Sequence, residues 1–292
     1  MTTIRIATRG SRQATTQSED VASRLRAAGF DTELVLVETL GDRTQADNVP
    51  LHSIGGQGVF VKEVQRAVLD GRADVAVHSA KDLPASDADG LAIGAFLVRR
   101  SASDVLIGAS LDGLAPGAPV ATGSVRRRAQ LRLVRPDLEF RELRGNITTR
   151  LERVPDGGAI VMALAALEVL GMTDRVDDVL DPTRFVPAVG QGCVAVECRL
   201  GDREVGNAVA EIDDAPTRRA VTIERAYLDE LGAGCTLPVG AHVDGDLLHV
   251  FLADEAGLTA VTRAVELAGE GSHDLETARQ AAREAREIIA GR

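Results

Sequence analysis

Four short segments of this 292-residue chain carry polar and charged residues directly after an apolar, strand-like run. In open α/β sheets, ligands bind at the carboxyl ends of the strands, where the free N–H groups of the following helices attract anions. We therefore expect the four segments to form one shared anion-binding site. They are Thr8-Arg9-Gly10-Ser11, His78-Ser79-Ala80-Lys81-Asp82, Thr122-Gly123-Ser124-Val125-Arg126-Arg127 and Arg144-Gly145-Asn146.

The second segment delivers a cation and a carboxylate together, because Lys81 and Asp82 follow an apolar run that ends at His78. Adjacent opposite charges also occur on solvated surfaces, where they contribute little to stability. The apolar flanks, including Leu83, favour a cleft instead. A carboxylate in a cleft can stabilise a cationic intermediate and transfer protons, which makes Asp82 the candidate catalytic residue.

Positive charge is concentrated in one stretch of an otherwise acidic chain. Between Arg126 and Arg153 there are nine arginines and four acidic residues, which gives a local charge of +5. The net charge of the whole chain is −11, so the rest of the chain carries −16. This balance argues against nonspecific nucleic-acid binding and favours a small polyanionic ligand. Arg126, Arg127 and Arg144 lie at element ends and are predicted to bind carboxylates, whereas Arg128, Arg132 and Arg135 have the spacing of a solvated helix face.

The three cysteines fall into two groups. Cys193 and Cys198 stand on an apolar strand-like run and are predicted to be buried, and no cysteine or histidine spacing indicates a disulfide or a metal site. Cys235 lies in a glycine-rich loop after a predicted helix, where its sulfur would be accessible to covalent attachment. A small buried cysteine is the alternative interpretation of this position.

A second glycine-rich stretch contains Gly55 and Gly56 and leads to Phe60. It lacks the Lys-Ser/Thr of a phosphate loop and the spacing of a dinucleotide-binding turn. We interpret it as a flexible lid.

The elements that must position these residues alternate between strand and helix. Strands are predicted at 4–8, 33–37 and 74–77 with helices at 15–28 and 61–69, and again strands at 120–122, 139–143 and 159–163 with helices at 127–134 and 147–153. A polar stretch over 104–119 is expected to separate the two runs. A further strand is predicted at 191–198, followed by helices at 218–231 and 273–289 that flank hairpin-like strands. This layout predicts two α/β domains and a C-terminal α+β domain.

Nine ordered blocks of the chain resemble the hydroxymethylbilane synthase (porphobilinogen deaminase) family. They are Arg5-Ile-Ala-Thr-Arg9, Gly55-Gly-Gln-Gly-Val-Phe-Val-Lys-Glu63, Ala73-Asp-Val-Ala-Val-His-Ser-Ala-Lys-Asp-Leu-Pro84, Gly123-Ser-Val-Arg-Arg127, Leu143-Arg-Gly-Asn146, Pro187-Ala-Val-Gly-Gln-Gly192, Glu197-Cys-Arg199, Glu224-Arg-Ala226 and Gly234-Cys235. One block could match by chance, but the ordered series is highly specific. Departures from the family pattern occur near Ser53, Gln57 and Val169.

The resemblance implies a three-domain fold. Two α/β domains like type II periplasmic binding proteins would surround a cleft, formed by residues 1–98 with 190–211 and by residues 101–187. An α+β domain at 215–292 would carry a dipyrromethane cofactor attached to Cys235 through a thioether. Four porphobilinogen molecules would then be condensed in turn with loss of ammonia, and the linear tetrapyrrole hydroxymethylbilane would be released by hydrolysis.

The resemblance also implies roles for individual residues. Asp82 matches the catalytic aspartate, which would stabilise a methylene-pyrrolenine cation. Gln191 matches a hinge or cleft position. The expected cofactor- and substrate-binding residues are Arg9, Ser11, Lys81, Thr122, Ser124, Arg126, Arg127, Arg144, Gly145, Asn146, Arg150 and Gln191.

No apolar run approaches the roughly 20 residues that a membrane span needs, and the expectation is a cytoplasmic monomer that binds porphobilinogen but neither nucleic acid nor membrane. The leading alternative is a noncatalytic two-lobed anion- or solute-binding protein, since a fold alone does not fix a function. A transferase acting on a phosphorylated substrate is a second alternative, for which the sequence contains no phosphate motif.

Overall fold

The computed structural model describes residues 3–39, 61–232 and 237–291. These residues belong to two compact units. The first unit comprises Met1–Arg100 and Cys193–Arg219, and the second comprises Ser101–Gly192 and Ala220–Arg292. The chain therefore passes between the units three times, and each unit is built from two separate stretches of sequence.

The strands, in chain order, are β1 (Thr3–Arg9), β2 (Asp31–Val37), β3 (Val75–Ser79), β4 (Leu91–Phe96), β5 (Asp104–Ile107), β6 (Pro119–Ala121), β7 (Glu139–Arg141), β8 (Ala159–Ala163), β9 (Asp178–Val179), β10 (Val194–Arg199), β11 (Val239–Asp244), β12 (Leu247–Ala253) and β13 (Ala260–Glu266). The α-helices are α1 (Arg12–Ala27), α2 (Lys62–Leu69), α3 (Val125–Val134), α4 (Ile147–Leu151), α5 (Leu164–Leu170), α6 (Arg203–Ala210), α7 (Ala215–Leu231) and α8 (Gly271–Ile289). Short 3-10 turns span Ala80–Asp82 and Thr173–Arg175.

Each unit contains a five-stranded mixed sheet with the same topology. The order is β2-β1-β3-β10-β4 in the first unit and β7-β6-β8-β5-β9 in the second. In both sheets three neighbouring strands are parallel, and the fourth strand runs antiparallel to the third. The predicted α/β fold class is confirmed.

The central strands are apolar because both faces of each sheet are covered. In the first unit, Ile6 and Val196 contribute to a core on one face, whereas Ala7 and Ala76 pack with α2 on the other. In the second unit, Ile107 and Leu106, adjacent on β5, belong to separate cores in the same way. Continuous apolar runs in the sequence are thus explained by strands that have no solvent-facing side.

The second unit also contains a three-stranded antiparallel sheet in the order β11-β12-β13, against which α8 packs. Phe251 of β12 is fully buried in a small core with Ala129 of α3 and Val186. The division of this unit into two of the three expected domains stays a prediction. Among the helices of the described ranges, none is long and apolar enough to cross a membrane.

Two expectations about the elements are wrong. The stretch expected to be a polar separator begins with β5, whose four residues are all buried. The strand expected from residue 191 begins at Val194, because Gly190 and Gly192 adopt left-handed φ values of 68° and 89° that belong to a turn. Cys193, just before this strand, and Cys198 within it are buried as expected.

The register of β11 and β12 generates a prediction about acid stability, since it places His242 directly opposite His249 and both are 8% exposed. Burial, followed by repulsion from His242, lowers the pKa of His249, while Asp244 and Asp181 oppose the shift. The fold therefore favours neutral His249. Its contribution to stability is complete above the ordinary pKa of about 6.5, and it is lost as the pH falls from there through the lowered pKa of the folded state.

We expect the thermal midpoint to fall less between about pH 7 and pH 5 in His249→Gln than in the parent protein, measured by calorimetry in matched buffers. The control is His273→Gln, because His273 is exposed on α8. An unchanged pH dependence in His249→Gln would remove His249 as a cause of acid instability.

Candidate active site

Asp82 lies at the end of β3, on the 3-10 turn that follows Ser79. The N–H of Ala80 donates to the carbonyl of Cys193 (2.9 Å), and the N–H of Leu83 donates to the carbonyl of Ala80 (3.2 Å). Leu83 is buried, Lys81 is half-buried and Asp82 is exposed. The turn is therefore fixed at both ends, and it presents the Asp82 carboxylate outward.

A buried polar cluster lies on the strands behind this turn, which the sequence analysis did not predict. His78 Nε2 lies 3.0 Å from Glu197 Oε2, and Gln65 Nε2 donates to both Glu197 oxygens at 3.1 and 2.9 Å. The three residues are between 1% and 7% exposed. They connect β3, β10 and α2, and they fix the strand that precedes the Asp82 turn.

Ser11 stands between β1 and α1 and caps the helix, because its Oγ accepts from the N–H of Ala14 (3.3 Å). Arg9, the last residue of β1, is half-buried. The beginning of α1 thus offers a hydroxyl and helix N–H groups next to a cation, which is a suitable environment for an anion.

The second unit repeats this arrangement at the end of β6. Ser124 caps α3 by accepting from the N–H of Arg127 (3.4 Å), and Thr122 Oγ1 accepts from the N–H of Ser124 (3.2 Å). Thr122 is 1% exposed and Ser124 is half-buried. In both five-stranded sheets, an interior strand is therefore followed by a helix whose first N–H groups are capped by a serine hydroxyl.

The fourth predicted segment also ends in a cap. Asn146 accepts from the N–H of Thr149 (2.9 Å), and Arg150 Nε donates to the carbonyl of Gly145 (2.7 Å). Gly145 has φ 115°, and a Cβ there would lie 2.9 Å from Thr149 Cγ2, so only glycine fits. Arg144 and Arg150 are half-buried.

Arg126 and Arg127 lie deeper than their position at a helix start predicts. Their side chains are 6% and 10% exposed, and both bind Asp104, whose side chain is 2% exposed. Burial alone would raise the pKa of Asp104, but the charges of Arg126 and Arg127 outweigh it and hold that pKa well below its ordinary value. Gln191, fully buried, donates its side-chain N–H to Asp104 Oδ1 (2.8 Å) and to the carbonyl of Ala102 (2.7 Å).

Asp104 is the residue of this group that sequence reasoning missed. It was assigned to the polar separator, although the run Val105-Leu-Ile107 that follows it is a strand signal. All three arginines predicted to be solvated make internal contacts, and Arg128 pairs with Glu142. Arg135 donates to the carbonyls of Leu111 and Leu114, and Arg132 lies 5.5 Å from the centroid of the Phe140 ring.

Cys235 and the lid residues Gly55, Gly56 and Phe60 lie outside the described residues, as do Ser53 and Gln57. The helix that precedes the Cys235 loop, α7, ends at Leu231, and Arg286 of α8 donates to the carbonyls of Glu230 and Leu231. The departure at Val169 is on α5, where that side chain packs against the core of the second unit. Over residues 3–39, 61–232 and 237–291, no group of three or more His, Cys, Asp or Glu side chains could bind a metal ion.

Taken together, the described residues provide an exposed carboxylate on a fixed turn and hydroxyl groups and arginines at strand ends. Such donors bind carboxylates, and the carboxylate of Asp82 can stabilise positive charge and accept a proton. Each unit, taken by itself, therefore offers donors that suit a carboxylate group.

Comparison with known proteins identifies the family. Residues 4–207 match the family model described as "Porphobilinogen deaminase, dipyromethane cofactor binding domain". A porphobilinogen deaminase of Acidothermus cellulolyticus is 45% identical over 94% of this chain and 86% of its own length. Those of Mycobacterium marinum (48% identical; 82% and 76% covered) and Nitratidesulfovibrio vulgaris (42% identical; 94% and 91% covered) are similarly related.

Among solved structures, the methionine-binding protein MetQ aligns with 77% of this chain and 93% of its own, with a TM-score of 0.45 and 14% identity. The match of the family model to more than half of the sequence, together with relatives above 40% identity over most of its length, carries the assignment. The chain belongs to the porphobilinogen deaminase family.

Proposed function

We propose that the chain condenses four porphobilinogen molecules into hydroxymethylbilane with Asp82 as the catalytic carboxylate and Cys235 as the cofactor attachment point. The observation that carries the role of Asp82 is its position, as an exposed carboxylate on a turn fixed to Cys193 and closed by buried Leu83. The dipyrromethane, when bound, supplies the pyrrole carbon to which the first substrate is joined.

Asp82 acts on the substrate's aminomethyl group. Loss of ammonia from the protonated aminomethyl group breaks the carbon–nitrogen bond, and the positive charge moves from the ammonium nitrogen onto the substrate pyrrole. A carboxylate next to the pyrrole stabilises the charge in this new position, which lowers the barrier. Formation of the new carbon–carbon bond releases a proton from the ring under attack, and Asp82 can accept that proton.

The cations and capped helix starts bind the substituents that do not react. Each porphobilinogen carries an acetate and a propionate, so every added unit brings two carboxylates. Arginine binds carboxylates through two parallel hydrogen bonds, and this geometry orients the ring as well as attracting it. We assign this role to Arg9, Ser11, Lys81, Thr122, Ser124, Arg126, Arg127, Arg144, Gly145, Asn146 and Arg150, with Gln191 supporting them.

The environments of the other two cysteines support Cys235 as the attachment point. Cys193 and Cys198 are 2% and 5% exposed. Burial raises the pKa of the Cys198 thiol, with Asp202 adding to the shift, so little of it is the nucleophilic thiolate at neutral pH. Neither cysteine suits a covalent tether.

We further infer a monomeric cytoplasmic enzyme with three domains, at 1–98 with 190–211, at 101–187 and at 215–292. The separate three-stranded sheet with its own helix α8 supports the third domain. The acidic net charge of −11 supports a protein that does not bind nucleic acid nonspecifically.

Intact-mass spectrometry tests the tether. We expect the purified protein to exceed its sequence mass by two pyrrole units and Cys235→Ala to lose this excess, because the thioether needs the sulfur. Cys198→Ala is the matched control and should keep the excess. A fully active protein without added mass would contradict the attachment.

Asp82→Asn tests the catalytic carboxylate. We expect this variant to retain the cofactor mass but to lose turnover by about 100-fold or more, because the amide has the same shape without the charge. Asp89→Asn, which changes an exposed carboxylate in the same loop region, should be near normal. Turnover close to the parent value in Asp82→Asn would remove Asp82 from the mechanism.

A further inference from the structure

We propose that Asp104 is a positioning residue for the reaction, which fixes the guanidinium groups of Arg126 and Arg127 in the orientation that binds pyrrole carboxylates. This inference rests on the proposed function of the two arginines. It concerns a residue that makes no contact with the reacting atoms in the proposed mechanism.

The Asp104 carboxylate is bound by two arginines at once. Oδ2 accepts from Arg126 Nη2 (2.8 Å), and Oδ1 accepts from Arg127 Nε and Nη2 (3.0 and 2.7 Å). The remaining terminal nitrogen of each arginine donates to a backbone carbonyl, that of Val186 for Arg126 (2.8 Å) and that of Val161 for Arg127 (3.0 Å). Each guanidinium is therefore fixed from two directions.

The cluster contains more positive than negative charge. Arg126 and Arg127 contribute two cations, and Asp104 contributes one anion, within side chains that are 10% exposed or less. Gln191 adds a neutral donor and no charge. The local surplus is +1 at the start of α3, where the helix dipole is also positive. An anionic ligand group is the natural partner of such a cluster. The two-arginine cluster around Asp74 differs, because Asp202 also pairs with Arg199 and balances the charge.

Comparison of the two five-stranded sheets shows that the sheet itself does not require this carboxylate. The N–H of Ala80 donates to the carbonyl of Cys193, and in the second unit the N–H of Leu164 donates to the carbonyl of Ser103 in the same way. The residue after Cys193 is buried Val194, and the residue after Ser103 is Asp104. A buried valine therefore forms the same strand start at the equivalent position of the first sheet. Asp104 is explained by the arginines that it binds.

The antiparallel direction of β5 puts this carboxylate at the functional end of the sheet. Asp104, its first residue, is in register with Ala163, the last residue of β8. The parallel strand β6 ends at the same side, just before Thr122 and the cap Ser124. Asp104 thus fixes the two arginines where the capped helix begins.

The first unit provides a matched control, since Asp74 also binds two arginines, Arg5 at 2.8 Å and Arg199 at 3.2 Å. Asp74 precedes β3, at the opposite end of the strand from Asp82. Its substitution removes the same kind of two-arginine contact without touching the residues assigned to binding. Any effect of generally lower stability on the kinetics will therefore appear in Asp74→Asn as well.

The test compares Asp104→Asn, Asp104→Glu and Asp74→Asn as purified cofactor-bearing enzymes. We expect Asp104→Asn to raise KM for porphobilinogen about 10- to 100-fold with a smaller change in kcat, because one or two charge-assisted hydrogen bonds no longer orient the arginines. Asp104→Glu keeps the charge and should restore part of this loss. Asp74→Asn should lower the thermal midpoint and leave KM at the parent value.

The outcomes separate this inference from the proposed function. A parent protein without turnover or cofactor mass would contradict the function itself, whereas an active parent with unchanged KM in folded Asp104→Asn would overturn only the positioning role. If Asp104→Asn does not fold, a raised KM in Asp104→Glu supports the inference and an unchanged KM overturns it. Failure of both variants to fold counts against it, because the role of Asp104 would then be structural.

Discussion

The architecture depends on one backbone hydrogen bond that occurs once in each five-stranded sheet. After the third parallel strand, the chain turns and donates an N–H to the residue that precedes an antiparallel strand: Ala80 to Cys193 in the first unit and Leu164 to Ser103 in the second. The antiparallel strand comes from a distant part of the sequence, so this hydrogen bond is a long-range contact. The turn that carries Asp82 in the first unit and the arginine cluster in the second both adjoin this hydrogen bond.

The two junctions carry different chemistry on the same backbone arrangement. In the first unit the turn is a single 3-10 turn, which leaves Asp82 exposed, and the adjoining strand begins with an apolar residue. In the second unit a seven-residue helix starts at once, and the adjoining strand begins with buried Asp104. The first unit therefore presents an exposed carboxylate. In the second unit the carboxylate is buried and bound by two arginines.

Much of the local structure around these residues could be predicted from the sequence because they follow strong local signals. The ends of apolar runs marked Asp82, Ser11 and Ser124, and the ordered family blocks indicated their roles. The polar clusters around Glu197 and Asp104 could not be found in this way. Each joins residues far apart in the chain, 132 positions for Gln65 and Glu197 and 87 for Gln191 and Asp104, and no periodicity reports such pairs. The late start of β10 was missed although its cause is local. Gly190 and Gly192 form a turn, but the apolar run that follows them made the strand appear to begin at residue 191.

The bond between Ala80 and Cys193 also has a consequence for biosynthesis. Cys193 follows Asp82 by 111 residues, so the ribosome must complete all of Ser101–Gly192, the first stretch of the second unit, before the residue that binds the Asp82 turn exists. Until β10 has emerged from the ribosome, the first sheet is incomplete, because β3 and β4 lack the strand with which both pair. Such edges are open to wrong pairing with other chains. The first sheet is therefore completed late in translation, although Asp82 itself is made early.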